Sequence, residues 1–383
     1  MKPADLKAAL VAEAGALGFD LCRVAPAGSP PHSAEFREWL GAKKHADMAW
    51  LERNADRRTD PELVLPGVRS IIVLGTNYWN REPKTGGDFT AIGPAAGAGD
   101  PAQTPLPAQS ASLSYPQFAI RNPQFSSGRI ARYAWGDDYH DVIEPKLWQL
   151  DSWLQQHGGR QRQYVDTGPV LERDFAALAG AGWQGKSTML IHPKLGTWLF
   201  LATILTTLEL PADEPMRDHC GKCTRCITAC PTGAITAPQQ LDARLCISYL
   251  TIENKGAIPE ALRPLLGDRI YGCDDCLDAC PWNRFAQQSR EARFAARDFT
   301  GMALRDFLAL DDDAFRRLFR GSPVKRIKRA RFLRNVCVAL GNTGTAVDLP
   351  ALERAALDAE PLIAEHARWA VSQIRSRHTA VRE

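Results

Sequence analysis

The feature that most constrains this chain is a group of eight cysteines between positions 220 and 280. Four of them follow the spacing C-x2-C-x2-C-x3-C, three more follow C-x2-C-x3-C, and a proline comes directly after each run. This spacing is that of bacterial ferredoxins, in which four cysteine thiolates hold each iron–sulfur cluster. Eight cysteines therefore predict two [4Fe–4S] clusters. They are Cys220, Cys223, Cys226 and Cys230 in the first run, Cys246 on its own, and Cys273, Cys276 and Cys280 in the second run.

The ligands are expected to be shared between the two runs. In a run of this type the first three thiolates bind one cluster and the fourth binds the other. By the pseudo-symmetry of such folds, the predicted ligands are Cys220, Cys223, Cys226 and Cys280 for the first cluster, and Cys230, Cys246, Cys273 and Cys276 for the second. Cys246 departs from the usual pattern, because it lies 27 residues before Cys273 and a compact ferredoxin would have it about three before. The insert between them is therefore expected to have a role of its own.

Two other uses of these cysteines fit the spacing less well. Structural zinc sites favour paired C-x2-C knuckles, without a third cysteine in step and without a following proline. Disulfides are disfavoured because the protein is predicted to be cytoplasmic, where thiols stay reduced. That location follows from an N-terminus typical of an amphipathic helix, and from apolar stretches far shorter than the roughly 20 residues of a membrane span. Cys22 and Cys337 lie in apolar surroundings and are predicted to be inert core thiols.

The length of the chain indicates that the clusters serve another part of the same protein. A chain of 383 residues is expected to form two or three domains, and 45% hydrophobic with 24% charged residues is typical of a globular protein. A ferredoxin alone needs far fewer residues, so the N-terminal part is expected to hold the group that accepts the electrons. The net charge of +3 is too small to indicate a nucleic-acid partner by itself.

Hydrophobic patterning divides the chain into three predicted domains. Residues 1–213 alternate helical and strand-like segments, which is typical of an α/β domain, and include a low-complexity segment at 83–127 that is predicted to be a mobile surface loop. Residues 214–300 carry the cysteines and form the predicted ferredoxin-like domain. Residues 301–383 have apolar residues at helical spacing, in the manner of an α-solenoid.

Five longer motifs in this chain closely resemble those of the epoxyqueuosine reductase family. They are R-Y-A-W-G-D-D-Y-H (132–140), V-D-T-G-P-V-L-E-R (165–173), G-W-Q-G-K-S-T (182–188), C-I-S-Y-L-T-I-E (246–253) and I-Y-G-C-D-D-C-L-D-A-C-P-W-N (270–283). The resemblance extends over nearly the whole chain apart from the low-complexity segment. Several long motifs in the right order make it more specific than the cysteines alone.

The resemblance implies a fold, cofactors and a reaction. The α/β domain would bind cobalamin (vitamin B12) base-off, in a nitroreductase- or reductive dehalogenase-like fold, against the ferredoxin-like two-[4Fe–4S] module. A C-terminal α-helical domain of HEAT-like repeats would help to hold tRNA. The implied reaction reduces the epoxide of epoxyqueuosine at the tRNA wobble position to queuosine, as the last step of queuosine biosynthesis. The implied partners are that tRNA and a low-potential donor of flavodoxin or ferredoxin type, with a monomeric protein and no membrane.

Asp138 matches the proton donor proposed for the family. Converting an epoxide into an alkene consumes two electrons and expels the oxygen as water, so a proton donor must stand beside the reduced cobalt. Burial against a corrin would raise the pKa of this carboxyl and keep it protonated near neutrality. Asp138 also stands where a helix predicted at 138–157 begins, so it suits an N-cap, and the two roles are compatible. From the residues alone, Asp137 is an equally good donor.

The other candidate contacts to cobalamin, besides Asp138, are Arg58, Asp166, Arg173, Gly185, Lys186, Ser187 and Ser248. The G-W-Q-G-K-S segment offers amides, a lysine and a serine to the corrin or to the phosphate of the nucleotide tail, although it also fits an ordinary tight turn. Asp166 and Arg173 are alternatively a pair, and Arg58 is alternatively a solvated charge. Ser248 begins the inter-cysteine insert, which is expected to approach the corrin from the cluster side.

A run of basic residues in the C-terminal domain is the candidate tRNA contact. Between positions 316 and 334 there are nine basic residues and no acid. Such a run is usually a solvated helix face, but next to the implied active site it is expected to contact phosphates, while the flipped base enters the cobalamin pocket. The predicted contacts are Lys325, Arg326, Lys328, Arg329 and Arg331.

Two other functions stay open at this point. A reductive dehalogenase-like enzyme acting on a small molecule would use the same cofactors, but the basic run and the lack of a twin-arginine export signal argue against it. A cobalamin-binding two-cluster electron carrier would leave both Asp138 and the basic run unexplained.

Overall fold

The computed structural model describes residues 1–81 and 127–380. The predicted mobile loop at 83–127 therefore lies outside the described residues, except for Ser127, which forms an isolated antiparallel bridge with Ala303. Among the described residues, no helix is both long enough and apolar enough to span a bilayer.

The N-terminal region alternates helices and strands, as its patterning predicts. Its helices are α1 (Pro3–Ala16), α2 (Ser33–Gly41), α3 (Ala49–Arg53), α4 (Ala55–Thr59), α5 (Tyr139–Gln156) and α6 (Glu172–Leu178). Its strands are β1 (Leu21–Pro26), β2 (Ser70–Asn77), β3 (Arg129–Ile130), β4 (Gln161–Tyr164), β5 (Trp183–Gln184), β6 (Leu190–Ile191) and β7 (Leu199–Thr206).

Four of these strands form the central sheet in the order β1-β2-β7-β4, and every neighbouring pair is antiparallel. β2 is buried along its whole length because hydrophobic clusters cover both faces of the sheet. Alternate side chains of a strand point to opposite faces. Accordingly, Ile72 packs with Leu147 of α5, whereas Ile71 packs with Phe175 of α6. The layers follow from the hydrophobic pattern, but the antiparallel order depends on long-range pairing that the pattern does not contain.

The cysteine-bearing segment folds around two short helices, one in each cysteine run. These are α7 (Arg225–Thr228) and α8 (Asp275–Asp278), and they pack against each other. Between them lie β8 (Ile235–Ala237), β9 (Gln240–Leu241), a π-helical turn at Tyr249–Glu253, a 3-10 segment at Glu260–Leu266 and β10 (Arg269–Tyr271). β10 pairs in parallel with β3 and so ties this segment to the N-terminal region.

The C-terminal region is built from helices, as predicted. They are α9 (Leu304–Phe307), α10 (Asp312–Leu318), α11 (Lys328–Thr343), α12 (Leu349–Ala355) and α13 (Pro361–Ala380). α11 packs mainly against α13, and four buried phenylalanine rings, those of Phe307, Phe315, Phe319 and Phe332, form an aromatic cluster beside α11. The assignment of these helices to HEAT-like repeats stays a prediction.

The inter-cysteine insert packs into the C-terminal region. Leu250, Ile258, Leu266 and Ile270 lie in one hydrophobic cluster with the buried face of α11. The hydrophobic core therefore continues across the predicted boundary at residue 301. The three domain ranges stay a prediction, and the insert joins the second range to the third.

Candidate iron–sulfur centres and active site

The first predicted cysteine set comes together around one cavity. Cys220, Cys223, Cys226 and Cys280 all line it, with Trp282 beside them. Burial raises the pKa of the Cys280 thiol, and the charges of the three other thiols raise it further. The fold therefore brings a cysteine of the second run to three cysteines of the first, as the ferredoxin pattern predicts.

The second predicted set is also brought together. Burial raises the pKa of the Cys276 thiol well above its usual value, and the charges of Cys273, Cys246 and Cys230 add to this effect. Burial raises the pKa of Cys273 to about 12. Burial also raises the pKa of Cys246, against the opposing effect of hydrogen bonds from Ser248. Cys273 and Cys276 pack against different hydrophobic clusters, so this set lies between the C-terminal and N-terminal cores.

The chemistry of these eight thiols fits iron–sulfur clusters. Thiolates that raise one another's pKa are unfavourable together unless a strongly positive group lies among them, and cluster iron is such a group. In a [4Fe–4S] cluster each thiolate binds a different iron, and four cysteines complete the ligand shell. Each predicted set supplies four.

The G-W-Q-G-K-S turn lies beside the first cysteine set. Lys186 and Ser187 line the same cavity as these cysteines, and the Lys186 ammonium donates to the carbonyl oxygen of Gly221 at 2.7 Å. Gly185 has no room for a side chain, because a Cβ atom there would lie 2.5 Å from Ile191 Cδ1. The turn, which we expected to contact cobalamin, is thus packed against the first cysteine run.

Asp138 caps the N-terminus of α5, as its position in the sequence predicts. Its Oδ1 atom accepts the backbone N–H of His140 at 3.0 Å, and its own N–H donates to the Gly321 carbonyl at 2.7 Å. Its carboxylate also forms an ion pair with Arg326, which belongs to the 3-10 segment before α11. The cap of α5 is therefore tied to the C-terminal region by two contacts.

The turn before α5 decides which of the two adjacent aspartates is enclosed. Gly136 packs so closely that a Cβ atom would lie 2.2 Å from the Arg293 carbonyl oxygen, so this turn requires glycine. The Asp137 side chain is 45% exposed and lies 3.8 Å from Arg297. The Asp138 side chain is only 13% exposed. Of the two candidate donors, Asp138 is the enclosed acid.

The ion pair with Arg326 reverses the expected protonation of Asp138. Burial alone raises the pKa of this carboxyl, but hydrogen bonds from His140 and the charge of Arg326 outweigh burial, so the net pKa is lowered. The expectation of a raised pKa is wrong for this arrangement, because it considered burial without the arginine. A protonated Asp138 requires that Arg326 takes another partner.

A second polar group lies next to Asp138. The Tyr139 hydroxyl donates to Asp166 Oδ2 at 2.6 Å, and the Asp166 N–H donates to Glu172 Oε1 at 3.1 Å. Asp166 has a φ of 61°, a left-handed conformation that costs energy in residues other than glycine. Burial, followed by the charge of Asp166, raises the pKa of Glu172 to about 8.

Arg58 and Arg173, two further predicted contacts, use part of their hydrogen-bonding capacity within the protein. Arg58 Nη1 donates to the Val170 carbonyl at 3.1 Å. Arg173 Nη1 donates to the Thr188 carbonyl at 3.2 Å, and within the described residues it forms no ion pair with Asp166. The alternative in which Asp166 and Arg173 pair with each other is therefore not the arrangement of this structure.

Two side chains of this region have a buried nitrogen that forms no hydrogen bond with any residue the structure describes, namely Arg58 at Nε and His140 at Nε2. Buried polar atoms are nearly always paired with protein, water or ligand. The amide groups around a corrin ring would supply such partners, so these two residues fit the predicted cobalamin.

Aromatic rings connect the surroundings of Asp138 with the second cysteine set. The rings of Tyr139 and Tyr133 are 6.2 Å apart, and those of Tyr133 and Tyr271 are 6.0 Å apart. Tyr271 is two residues before Cys273. The candidate proton donor and the second cysteine set are therefore close neighbours in the fold.

The basic run divides into internal and exposed residues. Arg329 pairs with Asp358 at 2.6 Å, and Arg331 donates to the Ile252 carbonyl at 2.8 Å. Arg334 is fully buried. The exposed members of the run are Arg316, Arg317, Arg320, Lys325, Arg326 and Lys328. Two of the predicted tRNA contacts, Arg329 and Arg331, are thus engaged inside the protein, and the other three stay at the surface.

Sequence reasoning did not single out Tyr139, His140 and Glu172 as members of this site. All three lie inside the motifs that resemble the family, directly beside Asp138 or within V-D-T-G-P-V-L-E-R. Their positions in those motifs were the available signal, but their contacts with Asp166 and Asp138 arise only from the fold.

An α/β domain joined to two sets of four cysteines defines a class of iron–sulfur proteins with two clusters. Two family models match: "4Fe-4S double cluster binding domain" at residues 219–283, and "Epoxyqueuosine reductase QueG, DUF1730" at residues 109–167. The chain belongs to the epoxyqueuosine reductase family, whose members are oxidoreductases that act on tRNA.

The relatives cover almost the whole chain. The epoxyqueuosine reductase of Escherichia coli (strain K12) is 37% identical over 95% of this chain and 88% of its own length. That of Xanthomonas campestris is 38% identical over 97% of both chains. A crystal structure of epoxyqueuosine reductase with an epoxyqueuosine-modified stem loop of tRNA-Tyr matches with a TM-score of 0.83 and 28% identity, over 97% of this chain and 90% of that chain.

Proposed function

We propose that this protein reduces the epoxide of epoxyqueuosine at the tRNA wobble position to queuosine, the last step of queuosine biosynthesis. The observation that carries this proposal is the position of Asp138. This enclosed acid lies between tyrosine rings that lead to the second cysteine set and an arginine of the exposed basic surface. An electron path, a proton donor and a phosphate-binding surface meet there, which is what reduction of a nucleoside in tRNA requires.

The proposed reaction takes two electrons and two protons and releases the epoxide oxygen as water. The proposed cluster ligands are Cys220, Cys223, Cys226 and Cys280 for the first cluster and Cys230, Cys246, Cys273 and Cys276 for the second. Clusters held by these cysteines would supply one-electron transfer, so two transfers would complete one reduction. Asp138 donates one proton to the departing oxygen, and solvent supplies the second.

Cobalamin is the proposed cofactor, and when bound it supplies a strongly reducing cobalt centre to the substrate. The residues proposed to hold it are Arg58, Asp138, Asp166, Arg173, Gly185, Lys186, Ser187 and Ser248, with His140 added by its unpartnered nitrogen. Tyr139 and Asp166 anchor the first turn of α5 through their hydrogen bond, and this orients the neighbouring Asp138.

Arg326 links substrate binding to Asp138 in this proposal. Its side chain is 44% exposed, so it can reach a phosphate from its position beside Asp138. A tRNA phosphate that takes over Arg326 leaves Asp138 without its neighbouring cation, and the pKa of the carboxyl then rises. Asp138 thereby accepts a proton more readily when the substrate is in place.

Several finer assignments belong to the same proposal. The C-terminal helices act as HEAT-like repeats, and Lys325, Arg326 and Lys328 contact tRNA phosphates. A low-potential flavodoxin or ferredoxin-type protein supplies the electrons. The protein acts as a monomer in the cytoplasm.

The test is an anaerobic assay with purified protein, cobalamin, a low-potential reductant and tRNA carrying epoxyqueuosine. We expect queuosine to appear, as detected by mass spectrometry of the digested nucleosides. The proposal is rejected if no queuosine forms while cobalamin is bound and reduced.

The matched control for this assay is Asp138→Asn, which keeps the size of the side chain and removes the acid. We expect normal iron content and cobalamin binding, and turnover lowered by about 100-fold or more, because general acids contribute 10²–10⁴-fold. Wild-type turnover in this variant would remove Asp138 from the mechanism.

A further inference from the structure

The surface around the first cysteine set is strongly basic. Four exposed cations lie within four residues of its cysteines along the chain, namely Arg217, Lys222, Arg225 and Arg284. Lys222 and Arg225 lie inside the cysteine run, each directly next to a cysteine that lines the cavity. The one acid in the 217–225 stretch, Asp218, accepts the backbone N–H of Cys220 at 2.7 Å. We call these four cations the basic rim.

The two cysteine sets differ in their access to solvent. Most residues from 217 to 225 are exposed, so the first set lies under a thin surface layer. The second set lies among buried residues such as Ile247, Tyr271 and Leu277. It is also the set that the tyrosine rings connect to Asp138. The first set is therefore the one that an external protein can approach.

An aromatic patch lies beside the basic rim. Trp282 lines the cavity of the first cysteine set, and its ring is 5.7 Å from that of Phe285. Phe285 is 42% exposed, and the Arg284 guanidinium lies over its ring at 4.5 Å. Redox proteins form weak complexes through small interfaces, and complementary charges guide the two proteins into contact. The exposed ring of Phe285, together with the cations of the basic rim, has the composition of such an interface.

We propose that the basic rim is the docking surface for an acidic one-electron carrier protein, and that electrons enter through the first cluster. The inference rests on the proposed function, because that reaction consumes electrons that the chain must obtain from outside. In each encounter the carrier loses one electron and the first cluster gains it, and two encounters supply one reduction. The partner is acidic because the rim is basic. It is a redox protein because the rim lies beside a cysteine set at the surface.

The experiment measures cluster reduction in the absence of tRNA. Holoprotein with oxidised clusters is mixed anaerobically with a reduced, acidic flavodoxin, and the visible absorbance of the clusters is followed by stopped flow at low and high salt. For wild type we expect a second-order rate that falls as salt is added. For the double variant Lys222→Glu with Arg225→Glu we expect a rate at least about tenfold lower at low salt, with little dependence on salt.

Three controls separate docking from other effects. Reduction by dithionite and the iron content should be unchanged, which shows that the clusters are intact. The pair Arg217→Glu with Arg284→Glu, further from the cysteines, should also slow reduction by flavodoxin. Arg354→Glu with Arg368→Glu makes the same charge change on the C-terminal surface, outside the basic run, and should leave that rate as it is.

Two results would overturn the inference. One is a rim variant that flavodoxin reduces as fast as wild type. The other is an equal loss of rate in the C-terminal pair. That result would show that reduction by flavodoxin depends on the net charge of the protein and not on the position of the rim. If the variant in the first of these results also binds tRNA poorly, the rim is a nucleic-acid surface. Failure to form queuosine would count only against the proposed function, since no tRNA is present in this measurement.

Discussion

At the scale of single residues, the candidate active site depends on the balance between an acid and an arginine. Asp138 and Arg326 are 188 positions apart, and their ion pair lowers the pKa of an acid that the proposed reaction needs in its protonated form. Beside them, Tyr139, Asp166 and Glu172 form a hydrogen-bonded group around a left-handed backbone position. The first arrangement keeps Asp138 ionised, whereas the second raises the pKa of Glu172 to about 8 and favours its protonated form.

Removing the charge of Arg326 should change the pH dependence of the reaction. In the free enzyme the pKa of Asp138 is lowered, so kcat/KM falls as pH rises through that lowered value. Arg326→Ala removes the cation, the pKa of Asp138 rises, and we expect the high-pH fall of kcat/KM to move to higher pH. The pH profile of kcat should not move, because bound tRNA has already drawn Arg326 away.

Arg326→Lys is the control, since it keeps the positive charge and should keep the wild-type profile. His140 and Tyr271, which also interact with Asp138, are unchanged in both variants. A kcat profile that shifts together with kcat/KM would mean that Arg326 stays with Asp138 during turnover.

Glu172 should make the folded protein less stable as pH rises. Burial and the Asp166 charge raise the pKa of Glu172 from 4.5 to about 8. Between these values the folded state holds a proton that the unfolded state has lost, so this stabilising contribution disappears as pH increases through that range. We expect Glu172→Gln to remove part of the loss of Tm between pH 5 and pH 8, by a few degrees.

The measurement is anaerobic thermal unfolding of wild type and Glu172→Gln across that pH range. Glu353→Gln, at an exposed position of α12, is the matched control and should follow wild type. Parallel Tm curves for wild type and Glu172→Gln would show that Glu172 is already ionised in the folded protein.

At the scale of structural elements, the long insert between Cys246 and Cys273 is held by one helix. Arg334 of α11 donates to the carbonyl oxygens of Leu250, Asn254 and Gly256, at 2.7, 2.8 and 2.6 Å. The next residue, Asn335, donates to the carbonyls of Thr251 and Ile270, so α11 satisfies backbone groups at both ends of the insert. A basic residue that looks like a phosphate contact in the sequence is an internal support.

Removing this support should destabilise the protein and loosen the second cluster. Arg334→Ala leaves three carbonyl groups of the insert without their donor, and we expect a loss of at least about 3 kcal/mol in the free energy of unfolding. Because the insert begins at Cys246, the iron content should also fall. Unfolding in denaturant and iron analysis would measure the two effects.

The control for this variant is Arg354→Ala, at an exposed position of α12, which should change stability by no more than about 0.5 kcal/mol. An Arg334→Ala protein with full iron content and wild-type stability would contradict the supporting role of α11.

At the scale of the whole molecule, the second cysteine set lies where three parts of the chain meet. Cys273 packs against the C-terminal hydrophobic cluster and Cys276 against the cluster below the central sheet. The backbone N–H of Arg132 donates to the Asp274 carboxylate at 2.6 Å, which adds a contact from the segment before α5. A substitution at the second cysteine set is therefore expected to affect both hydrophobic clusters.

Removal of iron should affect these parts unequally. The central sheet is covered by apolar clusters on both faces and contains none of the predicted ligands, so it should stay folded in the apoprotein. The stretches 219–246 and 270–283 have few buried apolar side chains of their own and depend on the clusters. Hydrogen exchange followed by mass spectrometry should show rapid exchange in these stretches and slow exchange in β2 and β7. Equally rapid exchange in both regions would contradict this division.

Local features of the fold were predictable because they depend on neighbouring residues. Asp138 is the predicted N-cap of α5, and this helix, Tyr139–Gln156, lies within the predicted range 138–157. The cysteine spacing predicted both groups of four that the fold assembles, and the motif resemblance predicted the family that the relatives establish. In each case the signal lies within a short stretch of sequence.

The sequence by itself therefore determined the kind of clusters this protein can hold, because thiolate spacing within a short run is a local property. Only the tertiary structure decided which cations of the basic run stay at the surface and which acid is held in an ion pair. Arg329, Arg331 and Arg334 form internal contacts, whereas Arg326 reaches Asp138, and nothing in the basic run distinguishes them. The reason is physical: the charge state and availability of a side chain depend on the groups that surround it in space, and those groups come from distant parts of the chain.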